Sequence, residues 1–339
     1  MRHFLSTSDF ELSELESIIQ TAFALKRNEI ESDCLKKKTL ALVFLNPSLR
    51  TRVSMELAVR HLGGATVVLA PGTTSWSLEY QESAVMDADR TEHVKEFVKV
   101  LERYVDGIGV RCFAELKNWE EERTDPILSA FVKYAEKPII NLESAMYHPC
   151  QAMADVMTIR ENFGKKRKTV LLTWAWHPKP LPMAVPNSFV LALSQFGYDL
   201  RIACPEGYEL DDEVMRKAMS LSEAVGGSIE VLNSVEKAFE GVDVVYAKSW
   251  ASKYFYGSLE AEVRERVKYR DVWIVDDAKM ERTNDAIFMH CLPVRRNVVV
   301  TDSVIDSKAS VVYQQAENRL HVQKAILMRI FGDGVSRAS

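Results

Sequence analysis

The sequence predicts an α/β protein of two domains, each a central parallel sheet flanked by helices. Three observations lead there. Short β-branched runs alternate with amphipathic helical stretches along the whole chain. The strand candidates are nearly continuous apolar runs, as in parallel sheets covered on both faces, rather than alternating ones. The chain has 339 residues, and at roughly 150 residues per domain that is material for two cores.

Taken in order, the runs Thr39–Leu45, Ala65–Ala70, Gly107–Val110 and Pro138–Leu142 read as strands of a first sheet. Thr169–Trp174, Asp199–Ala203, Ser228–Leu232, Val242–Ala247, Val272–Val275, Ala286–His290 and Ser310–Tyr313 read as strands of a second. Helical spacing marks Leu12–Lys26, Arg52–Leu62, Glu92–Tyr104, Met183–Phe196 and Asp211–Val225, and a closing helix begins near Gln314. So many strands overfill one open sheet, which again favours two domains. The polar stretch Glu161–Lys168 (ENFGKKRK), with Gly164 ending a helix, is the composition break. The domains are expected at 1–150 and 151–319, with a C-terminal helix over 320–335 packing back on the first.

Composition narrows the class. Hydrophobic residues make up 47% and charged residues 27%, which excludes a disordered or fibrous chain. The formal net charge is −5, so no bulk field attracts nucleic acid or an anionic membrane, and any anion must meet a local pocket. The basic run Lys165-Lys166-Arg167-Lys168 reads as a solvated face. Apolar runs such as Leu40–Leu45 are far shorter than the roughly 20 residues that span a bilayer. The opening residues MRHFLSTSDFELSELE lack the apolar core of a signal peptide. Five cysteines with no C-x-x-C spacing argue against a disulfide framework or zinc ribbon and fit a cytoplasmic protein. The seven histidines form no H-x-x-x-H pair or Cys/His cluster, so neither a metal nor another cofactor is implied.

In open α/β sheets ligands sit beyond the carboxyl ends of the strands. After the first strand comes Asn46-Pro47-Ser48-Leu49-Arg50-Thr51-Arg52, leading straight into a helix. Such a turn gathers free N–H groups, two hydroxyls and two guanidinium groups around one point, which suits a phosphate dianion without a Walker loop. It reads equally well as an ordinary capped helix start with Ser48 or Thr51 as the cap. Arg111, His148-Pro149-Cys150-Gln151, and His290-Cys291-Leu292-Pro293 with Val294-Arg295-Arg296-Asn297 also follow strands. Together they make a constellation for a phosphorylated carbonyl compound, with donors aimed at the carbonyl oxygen.

These four segments, in this order and spacing, resemble the signature set of the aspartate/ornithine carbamoyltransferase superfamily over nearly the whole chain. The resemblance implies a carbamoyl-phosphate domain, a second-substrate domain and a homotrimer with shared active sites. It implies that Ser48, the Leu49 N–H, Arg50 and Thr51 hold the phosphate, and that Arg111 and His148 contact the carbamoyl oxygen, where Thr51 is expected to join them in stabilising the developing charge. Gln151 and the backbone at Cys291-Leu292 would hold the carbamoyl amino group. Arg319 would reach the same site, and Trp76 would reach a neighbouring subunit's. Cys291 is read through its backbone and not as a nucleophile, because adjacency to His290 in sequence is no dyad in space.

The departures select a branch. The D-x-x-x-S-M-G loop by which ornithine enzymes grip the free amino acid is absent; Ala251-Ser252-Lys253-Tyr254 stands in its approximate place. The motifs Asn46-Pro47, His177-Pro178-Lys179-Pro180-Leu181-Pro182, Tyr246-Ala247-Lys248-Ser249-Trp250 and His290–Asn297 resemble the branch that carbamoylates N-acylated ornithine. An acylated α-nitrogen is neutral and leaves an α-carboxylate, for which Lys248 is the natural cation and His177 the natural donor. Glu143 and Arg295 complete the acceptor-binding set. Acetyl-type members carry Glu, and succinyl-type members Pro, at the position held here by Thr91, beside Arg90 in Met86-Asp87-Ala88-Asp89-Arg90-Thr91-Glu92-His93. A small neutral Thr91 next to Arg90 accepts a succinyl carboxylate that a glutamate would repel. Val298-Val299-Val300 also stands where the acetyl type has a modified lysine. The N-terminal half and the closing helix are more like the acetyl type. The expected order is therefore N-succinyl first and N-acetyl next, giving an N-acylcitrulline and phosphate by direct transfer in arginine biosynthesis. The rivals are a carbamoyltransferase for free ornithine or another amine, and a non-catalytic α/β relative. A dinucleotide site lacks its G-x-G-x-x-G.

Overall fold

The computed structural model describes residues 3–332. The chain divides into two compact units. One comprises Met1–Glu115, Glu120–Cys150 and Arg319–Ser339, the other Leu116–Trp119 and Gln151–Asn318.

In the first unit β1 (Thr39–Phe44), β2 (Ala65–Leu69), β5 (Gly107–Arg111) and β6 (Ile139–Glu143) form one parallel sheet in the order β2-β1-β5-β6, while β3 (Leu78–Glu79) and β4 (Glu92–His93) pair separately. The central strands carry the apolar runs: every residue of β5, and all of β1 after Thr39, is buried. The edge strand β2 stays half-exposed. Helices α1 (Leu12–Lys26), α2 (Leu49–His61), α3 (Val94–Leu101) and α4 (Pro126–Tyr134) belong to this unit, and α5 (Pro149–Phe163) begins in it. Phe97, Phe131, Ile108 and Val110 share its core. Gly107 is required by close approach, since a Cβ there would lie 2.6 Å from the Phe331 ring of the closing helix.

In the second unit β7 (Thr169–Trp174), β8 (Asp199–Ala203), β9 (Ser228–Leu232), β10 (Val244–Lys248) and β11 (Ile287–Met289) form a parallel sheet in the order β11-β10-β7-β8-β9. Helix α6 (Ala184–Gln195) is buried along its whole length, which explains its apolar sequence. Helices α7 (Asp212–Ala224) and α8 (Leu259–Arg266) follow, and α9 (Val312–Phe331) begins in this unit and belongs to the first from Arg319 onwards. Each sheet has a switch point where the strand order reverses. In the first it lies between β1 and β5, in the second between β7 and β10.

Several expectations need correction. Val272–Val275 forms no strand: only Val275 bridges, to Val300. Ser310–Tyr313 forms none either, since Ser310 makes a single bridge to Phe288 and a helix starts at Val312. β-branched composition marks burial there without a ladder partner. The helix expected over Glu92–Tyr104 gives its first two residues to β4 and ends at Leu101. The composition break at Glu161–Lys168 lies within the second unit and marks no boundary; the chain passes between units at Cys150/Gln151, inside α5. Arg319 belongs to the first unit. Residues 333–335 of the expected closing helix lie outside the described residues. Among the described residues no helix is long and apolar enough to cross a membrane.

One buried carboxylate fixes the loop after β6. Asp125, in left-handed backbone (φ 54°), accepts from Ala145 N at 3.3 Å and from the Ser144 hydroxyl. Burial pushes its carboxyl up to about 6 against these bonds. The folded chain therefore holds that proton more tightly than the unfolded chain, whose aspartate titrates near 4. Its stabilising contribution is complete below about pH 4 and is lost as pH rises through about 6. Denaturant unfolding of wild type and Asp125→Asn between about pH 4 and about pH 7 is expected to show the wild type losing about 2 kcal/mol relative to the variant. Parallel curves contradict the assignment.

Candidate active site

At the first switch point, Ser48 caps α2, its hydroxyl accepting from Thr51 N at 3.2 Å. The following helix turn opens there with the positive end of its dipole. Asn46 Oδ1 accepts from Phe113 N at 2.7 Å, tying the loop after β1 to the loop after β5. Thr51 is buried, and its hydroxyl receives Arg319 Nη2 at 2.9 Å and Arg111 Nη1 at 3.5 Å. The register of β5 against β6 shifts between Val110 and Arg111, bringing Arg111 opposite Glu143. There Arg111 Nη1 meets Glu143 Oε2 at 2.5 Å, and the same oxygen lies 3.3 Å from His148 Nε2. The Arg111 guanidinium lies over the Phe113 ring, 4.3 Å from its centroid.

Thr51, Arg111, Glu143, His148 and Arg319, proposed separately from sequence, are thus one buried cluster with two guanidinium groups and one carboxylate. Burial, and then the Arg319 and Arg111 charges, hold His148 well below the usual histidine range, so its imidazole is neutral. Glu143 falls with this cluster in the first unit and serves Arg111 and His148. Leu49 is 72% exposed, so at that position only the backbone N–H is structurally fixed. Arg50 is half-buried.

A second group in the first unit comprises Trp76, Arg90 and Thr91. The pairing Leu78↔Glu92 brings the two loops side by side, and Ser77 Oγ donates to Asp89 O at 3.0 Å. Trp76 is 67% exposed, and Thr91 is exposed. Arg90 differs from expectation. Its Nη1 donates to Glu79 Oε1 at 3.1 Å and its guanidinium stacks over Tyr80, 4.8 Å from the ring centroid. Glu79 already answers its charge, so Thr91 alone is left as the neutral surface there.

In the second unit, Gln151 Nε2 and Gln315 Nε2 both donate to Asp155 Oδ1, at 2.8 and 2.7 Å. Gln315 Oε1 in turn accepts from His290 N at 3.0 Å, and His290 Nδ1 accepts from Leu292 N at 2.9 Å. This network shapes the Cys291-Leu292 turn, where Leu292 takes a left-handed φ of 54°. Its carboxylate Asp155 and its amide Gln315 were missed from sequence. The i,i+4 spacing of Gln151 and Asp155 was the available signal, but it is also ordinary helix-face spacing.

At the second switch point stand Lys248, the last residue of β10, and the loop after β7. Lys248 Nζ donates to Ser249 O at 2.9 Å and is largely buried. His177 Nε2 accepts from Arg295 Nε at 3.0 Å, leaving Nδ1 to donate to Lys179 O at 2.8 Å. Burial, and the nearby Lys248, Arg295 and Arg266 charges, depress His177 to about 4 against its bond to Lys179. His177 is therefore a neutral acceptor that orients Arg295. It is not the direct donor expected from sequence, because both ring nitrogens are engaged.

Set against known proteins, residues 2–161 match the family model for the aspartate/ornithine carbamoyltransferase carbamoyl-P binding domain. Residues 182–330 match that for the Asp/Orn binding domain. The chain is 45% identical to N-acetylornithine carbamoyltransferase of Xanthomonas campestris pv. campestris over 336 residues, 98% of each chain. It is 39% identical to N-succinylornithine carbamoyltransferase of Bacteroides thetaiotaomicron, over 97% of this chain and 98% of that one. Among solved structures, a variant of N-acetyl-L-ornithine transcarbamylase with a glutamate replaced by proline, complexed with carbamyl phosphate and N-succinyl-L-norvaline, superposes with a TM-score of 0.94. It is 44% identical and covers 97% of this chain and 100% of its own.

The neutrality of His177 is directly measurable. At about pH 5.5 an ordinary histidine is about nine-tenths protonated. Nitrogen-15 spectra of histidine-labelled protein, assigned through His177→Gln, are expected to show the His177 ring neutral at that pH. An imidazolium signal contradicts its role as acceptor for Arg295.

Proposed function

Because the chain belongs to the aspartate/ornithine carbamoyltransferase family, whose chemistry is carbamoyl transfer, we propose that it carbamoylates the δ-amino group of an N-acyl-L-ornithine. The observation that carries this is the Thr51–Arg111–Glu143–His148–Arg319 cluster beside the Ser48-capped N-terminus of α2. It supports carbamoyl phosphate as donor: Ser48, the Leu49 N–H, Arg50 and Thr51 take the phosphate, with Arg319 supporting Thr51. Arg111 and the neutral His148 address the carbamoyl oxygen. Gln151 and the Cys291-Leu292 backbone take the amino group. Lys248 and Arg295, the latter oriented by His177, take the α-carboxylate of the acceptor. Glu143 acts on the acceptor side only through Arg111 and His148, which it fixes.

The deprotonated δ-nitrogen attacks the carbonyl carbon, and an N–C bond forms. Charge gathers on the carbonyl oxygen, where Arg111 and His148 meet it. The C–O bond to phosphate then breaks, and the proton lost by nitrogen leaves on the phosphate. No covalent enzyme intermediate is required. Holding both reactants in line supplies most of the acceleration.

For the acyl group we favour succinyl, with acetyl next. Thr91 carries no charge to oppose a terminal carboxylate, and the solved relative with its glutamate replaced was captured with a succinyl ligand. The higher identity to the acetyl enzyme of Xanthomonas favours the second reading. Trp76 is proposed to serve a neighbouring protomer in a homotrimer. The exposure of Leu49, Val53, Val85 and Met86 on the first unit supports such an assembly. The proposed locale is the cytoplasm.

Assays of ureido-product formation with carbamoyl phosphate and N-succinyl-, N-acetyl- or free L-ornithine are expected to rank the acceptors in that order. Thr91→Glu is expected to shift the succinyl-to-acetyl ratio of kcat/KM at least about tenfold toward acetyl by carboxylate repulsion. Activity with free ornithine alone overturns the acceptor assignment, and an unmoved ratio removes Thr91 as the selector.

A further inference from the structure

After β10 the chain runs through Ser249-Trp250-Ala251-Ser252, an irregular segment with no residue more than 2% exposed. Backbone polar groups buried in this way need fixed partners. Trp250 O accepts Trp174 Nε1 at 3.0 Å and Arg266 Nη2 at 3.1 Å. Ala251 N donates to Leu181 O at 2.8 Å, and Ser252 N to Glu262 Oε1 at 3.2 Å. Arg266 Nη2 also donates to Ser249 Oγ at 3.2 Å. Ser249 O is the acceptor for the Lys248 ammonium.

Arg266 and Glu262, one turn apart on α8, are both fully buried and 3.5 Å apart. The Arg266 guanidinium lies 5.3 Å from the centroid of the Trp174 ring and 5.8 Å from that of Tyr208. A buried ion pair is a poor device for stability alone, since apolar groups of the same volume often do as well. Burial also pushes the Glu262 carboxyl up to about 7, so the charge is kept there at a cost. Among the described residues, every side-chain hydrogen bond this pair makes outside itself goes to the segment that follows Lys248. That segment is tied in turn to Leu181, in the proline loop that carries His177.

We propose that Arg266, anchored by Glu262, is a positioning residue for acceptor binding: it clamps the Ser249–Ser252 segment and so sets where the Lys248 ammonium stands relative to the His177–Pro182 loop. This rests on the reading of Lys248 as an acceptor-binding group. Arg266 touches no substrate. Its Nη2 serves Ser249 Oγ and the Trp250 carbonyl together while the guanidinium stands beside the Trp174 and Tyr208 rings, a combination that a lysine ammonium does not reproduce.

The test is steady-state kinetics of Arg266→Lys in the full chain, with the acceptor the wild type uses best. The KM for that acceptor is expected to rise about tenfold, with kcat within about threefold and the carbamoyl-phosphate KM unchanged. Ser249→Ala removes only one of the two clamp bonds and is expected to raise the same KM a few-fold. It reads the proposal should the lysine variant fail to fold. An unchanged acceptor KM in a folded variant, or equal rises in both KM values, overturns the clamp. A wild type that ignores N-acylornithines but uses another amine overturns the acceptor reading instead, and the clamp is then read on that amine.

Discussion

The functional chemistry depends on a topological constraint: in each parallel sheet the strand order reverses once, and the reversal leaves two strand ends with no crossover packed between their following loops. Between β1 and β5 those loops deliver the Ser48–Arg52 turn and Arg111. Between β7 and β10 they deliver the His177–Pro182 loop and Lys248. Buried, fully apolar strands make these positions rigid, and the chemistry-bearing side chains can sit on loops without being mobile.

Rigidity alone would leave the charges poorly placed. In the first unit a single carboxylate, Glu143, takes both Arg111 and His148, while Thr51 takes both Arg111 and Arg319. Two guanidinium groups stay close together because Glu143 offsets part of their repulsion, and burial together with the Arg319 and Arg111 charges keeps His148 neutral. A neutral imidazole beside fixed cations is a hydrogen-bond donor whose charge does not vary in the ordinary pH range. The second unit repeats the device with different parts: His177, kept neutral by burial and by surrounding cations, orients Arg295. Preorganisation of this kind removes the cost of reorienting dipoles when charge develops on a carbonyl oxygen.

How much of this was legible in the sequence follows from the range of each interaction. The phosphate turn is local: strand, Asn-Pro, Ser cap and helix are contiguous, so Ser48 to Arg52 were readable without a fold. The nine strands of the two sheets were readable from apolar runs, because buried parallel strands such as β1 and β5 have that composition throughout. Val272–Val275 and Ser310–Tyr313 misled for the same reason, burial without a partner strand. The two-residue strands at Leu78 and Glu92 have no periodicity to detect, so the juxtaposition of Trp76 with Thr91 was invisible. So was the capture of Arg90 by Glu79. Glu262 and Arg266 were hidden differently: an i,i+4 pair of opposite charge on a polar helix reads as a solvated surface pair. Only the aromatic walls of Trp174 and Tyr208, distant in sequence, make it a buried one.

The most direct test of the account is calorimetric titration of carbamoyl phosphate into the wild-type chain and into Arg50→Ala, with circular dichroism to establish that both are folded. The account predicts saturable binding by the wild type and a loss of about a hundredfold in the variant, or about 3 kcal/mol for the charge-assisted contacts removed. Equal affinity in two folded proteins would contradict the claim that the turn after β1 holds the phosphate.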